Sequence, residues 1–138
     1  MASSETSVLI VEPVPEIGRV WARHLERVGM KVTQVGGQSG AISALTTRTF
    51  DIIVTDLMLQ EGSALAVADF ANYRHPEARV IFVTNTTFFS DGSIFQHCSN
   101  ACAYLPRGFK PEDLAALVEH HGADVSRARA ELPSRAQG

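Results

Sequence analysis

The chain has 138 residues, 45% apolar and 20% charged, enough for one domain with a single core in the proportions of an ordinary soluble globule. A net charge of −3 argues against non-specific nucleic-acid or anionic-membrane binding, and no apolar run approaches the ~20 residues of a membrane span. Two cysteines, Cys98 and Cys102, make no disulfide framework, and the start MASSETS lacks the basic-then-apolar pattern of a secretory leader, so a cytoplasmic protein is expected.

Residues 1–6 are small and polar and are expected to be flexible. Val8–Val11 is an apolar run that fits a strand buried on both faces. Pro13 and Pro15 stop it and prepare a helix start. Ile17, Val20, Trp21, Leu25 and Val28 then fall at helical spacing up to Gly29. Lys31–Val35 alternates polar and apolar, as an outer strand covered on one face would. After the Gly36-Gly37 turn, Ser39–Thr47 is a short helix weakened by its threonines. Asp51–Asp56 is a second buried run, followed by the loop Gln60-Glu61-Gly62 and an Ala-rich helix, Ser63–Arg74, which His75-Pro76 breaks. Arg79–Thr84 is a fourth strand, Ser93–Ser99 a weak helix and Ala101–Leu105 a fifth strand. Lys110–His121 is amphipathic, with Pro111 in its first turn, Glu112 and Asp113 at the positive dipole end, and Leu114, Leu117 and Val118 as the buried stripe. His120-His121 stand at its expected end, where they favour the C-terminal dipole. From Gly122 the composition shifts to Ala, Arg, Ser and Gly, predicting a flexible or weakly helical tail over 122–138. Its Arg127, Arg129 and Arg135, interspersed with Asp124 and Glu131, are expected to be solvated surface.

Strands alternating with helices imply an α/β (βα)5 three-layer sandwich around a parallel sheet, spanning residues 7–121. A flavodoxin-like order, 2-1-3-4-5, sets the first and third strands side by side. Glu12 and Asp56 then converge at one mouth, beside Thr84 and Arg107. A lone carboxylate such as Asp56 is expensive to bury without a reason, and this end of an open α/β sheet is where ligands sit. Its duller reading is an aspartate that ends a strand and caps a loop. Thr84-Asn85-Thr86-Thr87 is equally suited to a phosphate pocket or to a plain turn, and only Thr84 is a functional candidate. No Gly-rich phosphate loop, nucleophile elbow or zinc signature occurs. Cys98 and Cys102 with His97 offer too few ligands for a metal centre and fit small buried residues better. His24, beside Trp21 and Leu25, fits an ordinary boundary histidine. A flavin-type pocket is disfavoured because Pro13 and Pro15 remove two backbone donors after the first strand.

The pieces VLIVE (Val8–Glu12), DIIVTDLMLQEG (Asp51–Gly62), RVIFVT (Arg79–Thr84) and AYLPRGFKPEDL (Ala103–Leu114), in this order and spacing, resemble the response-regulator receiver family across about Ser7–Glu119. The resemblance implies that Asp56 occupies the place of the aspartate that accepts a phosphoryl group from a histidine kinase. Thr84 matches the hydroxyl that contacts the phosphoryl oxygens, and Tyr104 the aromatic switch residue of strand five. Glu12, Asp56 and the main-chain carbonyl of Met58 match the family's Mg²⁺ ligands.

Two departures qualify that picture. The family's acidic pair after strand one is here Glu12-Pro13, and proline offers no side-chain oxygen to an ion that wants near-octahedral oxygen geometry. Where the family has Lys-Pro, with the proline commonly after a cis bond, this chain has Arg107-Gly108. Arginine keeps the charge but can grip a carboxylate with two parallel hydrogen bonds, and glycine loosens the loop. Arg107 is therefore expected to pair with Asp56 or Glu12, in the space a metal would need. Mg²⁺ is expected to bind weakly or not at all, and phosphoryl transfer, which rests on positioning and charge neutralisation, to slow with it.

The expectation is a stand-alone atypical receiver, not an enzyme, acting through protein contacts. Its partners would be a histidine kinase, a phosphotransfer protein or another signalling protein, with homodimerisation as a further option. The family's usual output surface maps onto Phe95, Ala103, Tyr104, Lys110 and Leu114. The alternative is a working phosphoacceptor in a phosphorelay, modified on Asp56.

Overall fold

A computed structural model describes residues 6–84 and 99–131. In chain order the elements are β1 (Ser7–Val11), α1 (Pro15–Arg27), β2 (Lys31–Val35), α2 (Gln38–Thr47), β3 (Ile52–Asp56), α3 (Ala64–Arg74), β4 (Arg79–Thr84), β5 (Ala101–Pro106) and α4 (Pro111–Glu131). All the strand pairings are parallel and the sheet order is β2-β1-β3-β4-β5, the flavodoxin-like order expected. The expected helix over 93–99, with Phe95, His97 and Cys98, lies outside the described residues save Ser99, which stands in a turn, and the loop from Asn85 lies outside them as well.

The unbroken apolar runs follow from coverage on both faces. Successive residues point to opposite sides, so Leu9, Val11, Ile53, Val80 and Phe82 pack with α2 and α3. Val8, Ile10, Ile52, Val54, Ile81 and Val83 pack with Trp21 and Leu25 of α1 and with Leu114 and Val118 of α4. α1 lies beside α4, and α2 beside α3. Pro15 opens α1, as its fixed φ and missing N–H favour. Ser63 caps α3 by accepting the Ala66 N–H.

The last helix departs from expectation. It does not stop at His121 but runs unbroken through Glu131, 21 residues in all, or about 31 Å. The strands it packs on have five or six residues, about 17–20 Å. α4 therefore overruns the sheet and reaches its N-terminal edge. Gly122, the expected break, is buried within the helix, where a Cβ would lie 3.1 Å from the Thr6 side chain; the missing side chain lets the helix pass close to the start of β1. Val125 is buried beyond it.

Arg129, expected on the solvated surface, is instead an anchor. Its guanidinium bridges Asp51 and Glu77 (Nε to Glu77 Oε2, 3.0 Å) and donates to the Phe50 carbonyl (3.1 Å). Asp51 also accepts the Ser7 N–H at 2.8 Å. Asn100 ties the start of β5 to α3 by donating to the Ala68 carbonyl (3.0 Å).

Candidate functional site

Glu12 follows the last residue of β1 and Asp56 ends β3, and the register Val11 to Thr55 makes them neighbours at the C-terminal edge of the sheet. Both acids are nearly inaccessible, 1% and 3% exposed. Each is fixed by the backbone two residues on. Val14 N–H donates to Glu12 Oε2 (3.0 Å) and Met58 N–H to Asp56 Oδ1 (2.9 Å). The remaining oxygens, Glu12 Oε1 and Asp56 Oδ2, face Arg107, whose Nη1 contacts both; the Glu12 contact is 3.4 Å and the Asp56 contact is the closer. Each of the two acids' oxygens thus accepts from an N–H. Burial pushes the Glu12 carboxyl above its ordinary value, and neighbouring Asp56 adds to this against the opposing Val14 N–H and Arg107.

Arg107 reaches this position because its own backbone is clamped. Its N–H donates to the Thr84 carbonyl at 3.1 Å, continuing the β4–β5 pairing one residue past Thr84 and Pro106. The next residue, Gly108, has φ +89°, in the left-handed region that proline, locked near −65°, cannot enter. The Gly108 conformation and a proline at this position are mutually exclusive.

Glu12, Pro13, Val14, Asp56, Met58, Gln60 and Arg107 line a cavity of about 220 Å³ over the acids. Thr84 is buried at the end of β4, next to β3. Tyr104 pairs with Phe82 across β4–β5 and is half-buried against the α2–α3 side of the core. The sequence-predicted residues Glu12, Asp56, Met58 and Arg107 are thus brought together, with Thr84 on the adjoining strand. Of the expected partner surface, Ala103 is half-buried and Lys110 exposed, and Phe95 lies outside the described residues. Leu114 is fully buried in the α4–sheet core. It cannot meet a partner, because its place in the helical stripe faces the sheet. The backbone donors of Val14 and Met58 were not visible to residue-type reasoning, since any residue but proline supplies an N–H.

The doubly wound parallel sheet with two buried acids at its C-terminal edge agrees with the architecture expected from the receiver resemblance. The response regulator receiver domain model matches residues 8–119, and the chain belongs to that family. It is 29% identical over 110 residues to the DNA-binding transcriptional regulator NtrC of Klebsiella pneumoniae, covering 80% of this chain and 23% of that protein. It is 28% identical over 81 residues to the response regulator protein PilR of Pseudomonas aeruginosa, covering 59% and 18%. The chain thus spans about a quarter or less of the length of these curated relatives. The signal receiver domain of an HD domain-containing protein from Pseudomonas fluorescens Pf-5 shares the fold with a TM-score of 0.84 at 13% identity, covering 96% of this chain and 97% of that one. The chemotaxis response regulator CheY4 of Vibrio cholerae shares it at 0.77 and 17% identity, covering 86% and 99%. Receiver domains are signalling modules of two-component systems that interact with histidine kinases and phosphotransfer proteins and typically bind Mg²⁺ at the acidic pocket. Among the described residues, no helix is long and apolar enough to cross a membrane.

Proposed function

We propose that this chain is an atypical receiver, in which Mg²⁺-dependent phosphorylation of Asp56 is impaired and signalling rests on protein contacts rather than on catalysis. One observation carries the reading: the Arg107 guanidinium sits on Asp56 and Glu12, in the place a divalent ion would take. Pro13 supplies no oxygen, and the two acids are already engaged by backbone N–H groups and by Arg107. The donor set fits Mg²⁺ poorly, because an ion would have to displace a guanidinium and complete its shell mostly with water. Ala103, Tyr104 and Lys110 belong to the proposed contact surface for a histidine kinase, a phosphotransfer protein or a second copy.

The test is a Mg²⁺ titration followed by beryllofluoride, read from the amide NMR shifts of Met58 and Tyr104. The expected outcome is no saturation by millimolar Mg²⁺ and no beryllofluoride response. Saturation with a full response would overturn the proposal and favour the second reading, a working phosphoacceptor. That reading draws on Asp56 ending β3 beside the buried Thr84 of β4. Arg107→Lys separates the causes: Mg²⁺ affinity is expected to rise, and if it does not, the guanidinium is not what excludes the ion.

A further inference from the structure

α4, Pro111–Glu131, carries His120, His121 and Asp124 in its middle, well inside both ends. Because the helix continues past them, neither imidazole caps a C-terminus, and the sequence-based explanation for the pair falls away. We propose that these three side chains form a binding site for a borderline divalent transition metal of the zinc(II) kind, separate from the Asp56 pocket.

Asp124 stands four residues after His120 and three after His121, so it neighbours both on the helix surface. One ligand atom from each residue lies within 4.8 Å of the other two. His120 Nε2 and His121 Nδ1 are each 3.9 Å from the same oxygen, Asp124 Oδ2. Ligand bonds of about 2.0–2.2 Å put two donors on one tetrahedral ion ~3.4 Å apart, so small side-chain rotations close the set. The His121 ring is half-buried, while His120 is exposed and meets the His121 ring edge-on at 4.9 Å. Arg127 holds Asp124 through Oδ1, which orients the carboxylate and leaves Oδ2 to the ion. Two imidazoles and one carboxylate, with a fourth position open to water, suit zinc; Mg²⁺ prefers an all-oxygen shell. The nearby Arg127 charge opposes the ion, which sets the expected affinity in the micromolar rather than the nanomolar range. His120 lies nine residues into α4, about 14 Å along the helix from Pro111, so occupancy leaves the acidic mouth untouched.

The experiment titrates Zn²⁺ into the tag-free, chelator-treated chain by calorimetry at neutral pH, with excess Mg²⁺ present. One equivalent is expected to bind with micromolar affinity. Co²⁺ should broaden the ring signals of His120 and His121 selectively. His120→Ala and Asp124→Asn, both at accessible positions, should each weaken Zn²⁺ binding at least about tenfold with an unchanged circular dichroism spectrum. His97→Ala and Cys98→Ser should leave it unchanged. Absence of binding at millimolar Zn²⁺, or binding that survives His120→Ala but is lost in Cys98→Ser, would overturn the proposal.

Discussion

The two ends of β3 carry the same three-group device in opposite electrostatic conditions. At one end Arg107 bridges Asp56 and Glu12; at the other, Arg129 bridges Asp51 and Glu77. Each guanidinium comes from far along the chain, and each pairs one acid at an end of β3 with an acid from elsewhere. The burial differs. Glu12 and Asp56 are almost wholly out of water, whereas the side chains of Asp51 and Glu77 are 14% and 24% exposed. Burial therefore pushes the Glu12 carboxyl up. At the other end burial also opposes ionisation of Glu77, but hydrogen bonds from its own N–H and from Arg129 outweigh it and hold the carboxyl below its ordinary value. The same set of charges is a conflict where it is dry and a fastener where it is wet. The dry end is the site; the wet end holds the last helix under the sheet.

The sharpest way to break this contrast is to remove each guanidinium. Arg107→Ala leaves two buried carboxylates adjacent with no cation. Losing one partner of a buried pair costs about 3–5 kcal/mol, and because the Arg107 side chain keeps 29% of its surface exposed, a loss of about 2–3 kcal/mol is expected. Urea unfolding at neutral pH in chelator should show it, and millimolar Mg²⁺ should restore part of it, since the ion can then take the vacated place. Arg129→Ala removes hydrogen bonds to two partly solvated acids and one carbonyl, and should cost about 1.5–2 kcal/mol with no Mg²⁺ dependence. An Arg129→Ala loss equal to or above that of Arg107→Ala would end the argument that burial separates the two ends.

The sequence made the first device legible and hid the second, for a physical reason. Glu12 directly follows β1 and Asp56 ends β3, with only Thr55 between Asp56 and the apolar run, so strand order alone brings them together, and Arg107 follows the fifth strand. Arg129 lies in a stretch of Ala, Arg and Ser that reads as polar on any scale. Its partners are set by how far a helix overruns a sheet, a length that no local pattern encodes. The shift in composition from Gly122 misled for a related reason: it reads as a flexible or weakly helical tail, but the lack of a side chain at Gly122 serves packing against Thr6. Leu114 was assigned to a partner surface although it also belonged to the stripe of buried helical positions, and the stripe decided. That the sheet is parallel followed from alternation of strands and helices, and its order from the choice of the flavodoxin-like topology; neither needed any of this.

A smaller effect probes how Arg107 is delivered. Gly108→Ala places a Cβ at φ +89° with open space around it, so strain alone should lower stability by about 1 kcal/mol. Because the strain relaxes by shifting the loop, Arg107 should loosen from Asp56, and the Met58 amide NMR signal should move. A stability loss without that shift would mean that the Thr84 carbonyl, not the glycine turn, places the guanidinium.

The smallest and most specific test uses pH, because the two second acids are displaced in opposite directions. The folded chain holds the Glu12 proton more tightly than the unfolded chain, whose ordinary value is 4.5. The stability this group contributes is complete below 4.5 and is lost as pH rises through its raised folded value. Glu12→Gln should remove that slope and leave the protein as stable as, or more stable than, the parent at neutral pH. Glu77, held below 4.5, contributes above 4.5 and loses its contribution as pH falls through its lowered folded value. Glu77→Gln should cost less than about 1 kcal/mol at neutral pH, as a partly solvated pair does, and nothing once the acid is protonated in both states. Urea midpoints followed from neutral pH down through 4.5 should give a negative variant-minus-parent difference for Glu77→Gln at neutral pH and a zero or positive one for Glu12→Gln. Two differences of the same sign would mean that dryness does not set the two ends of β3 apart, and that the Arg107 pair is as settled as the Arg129 one.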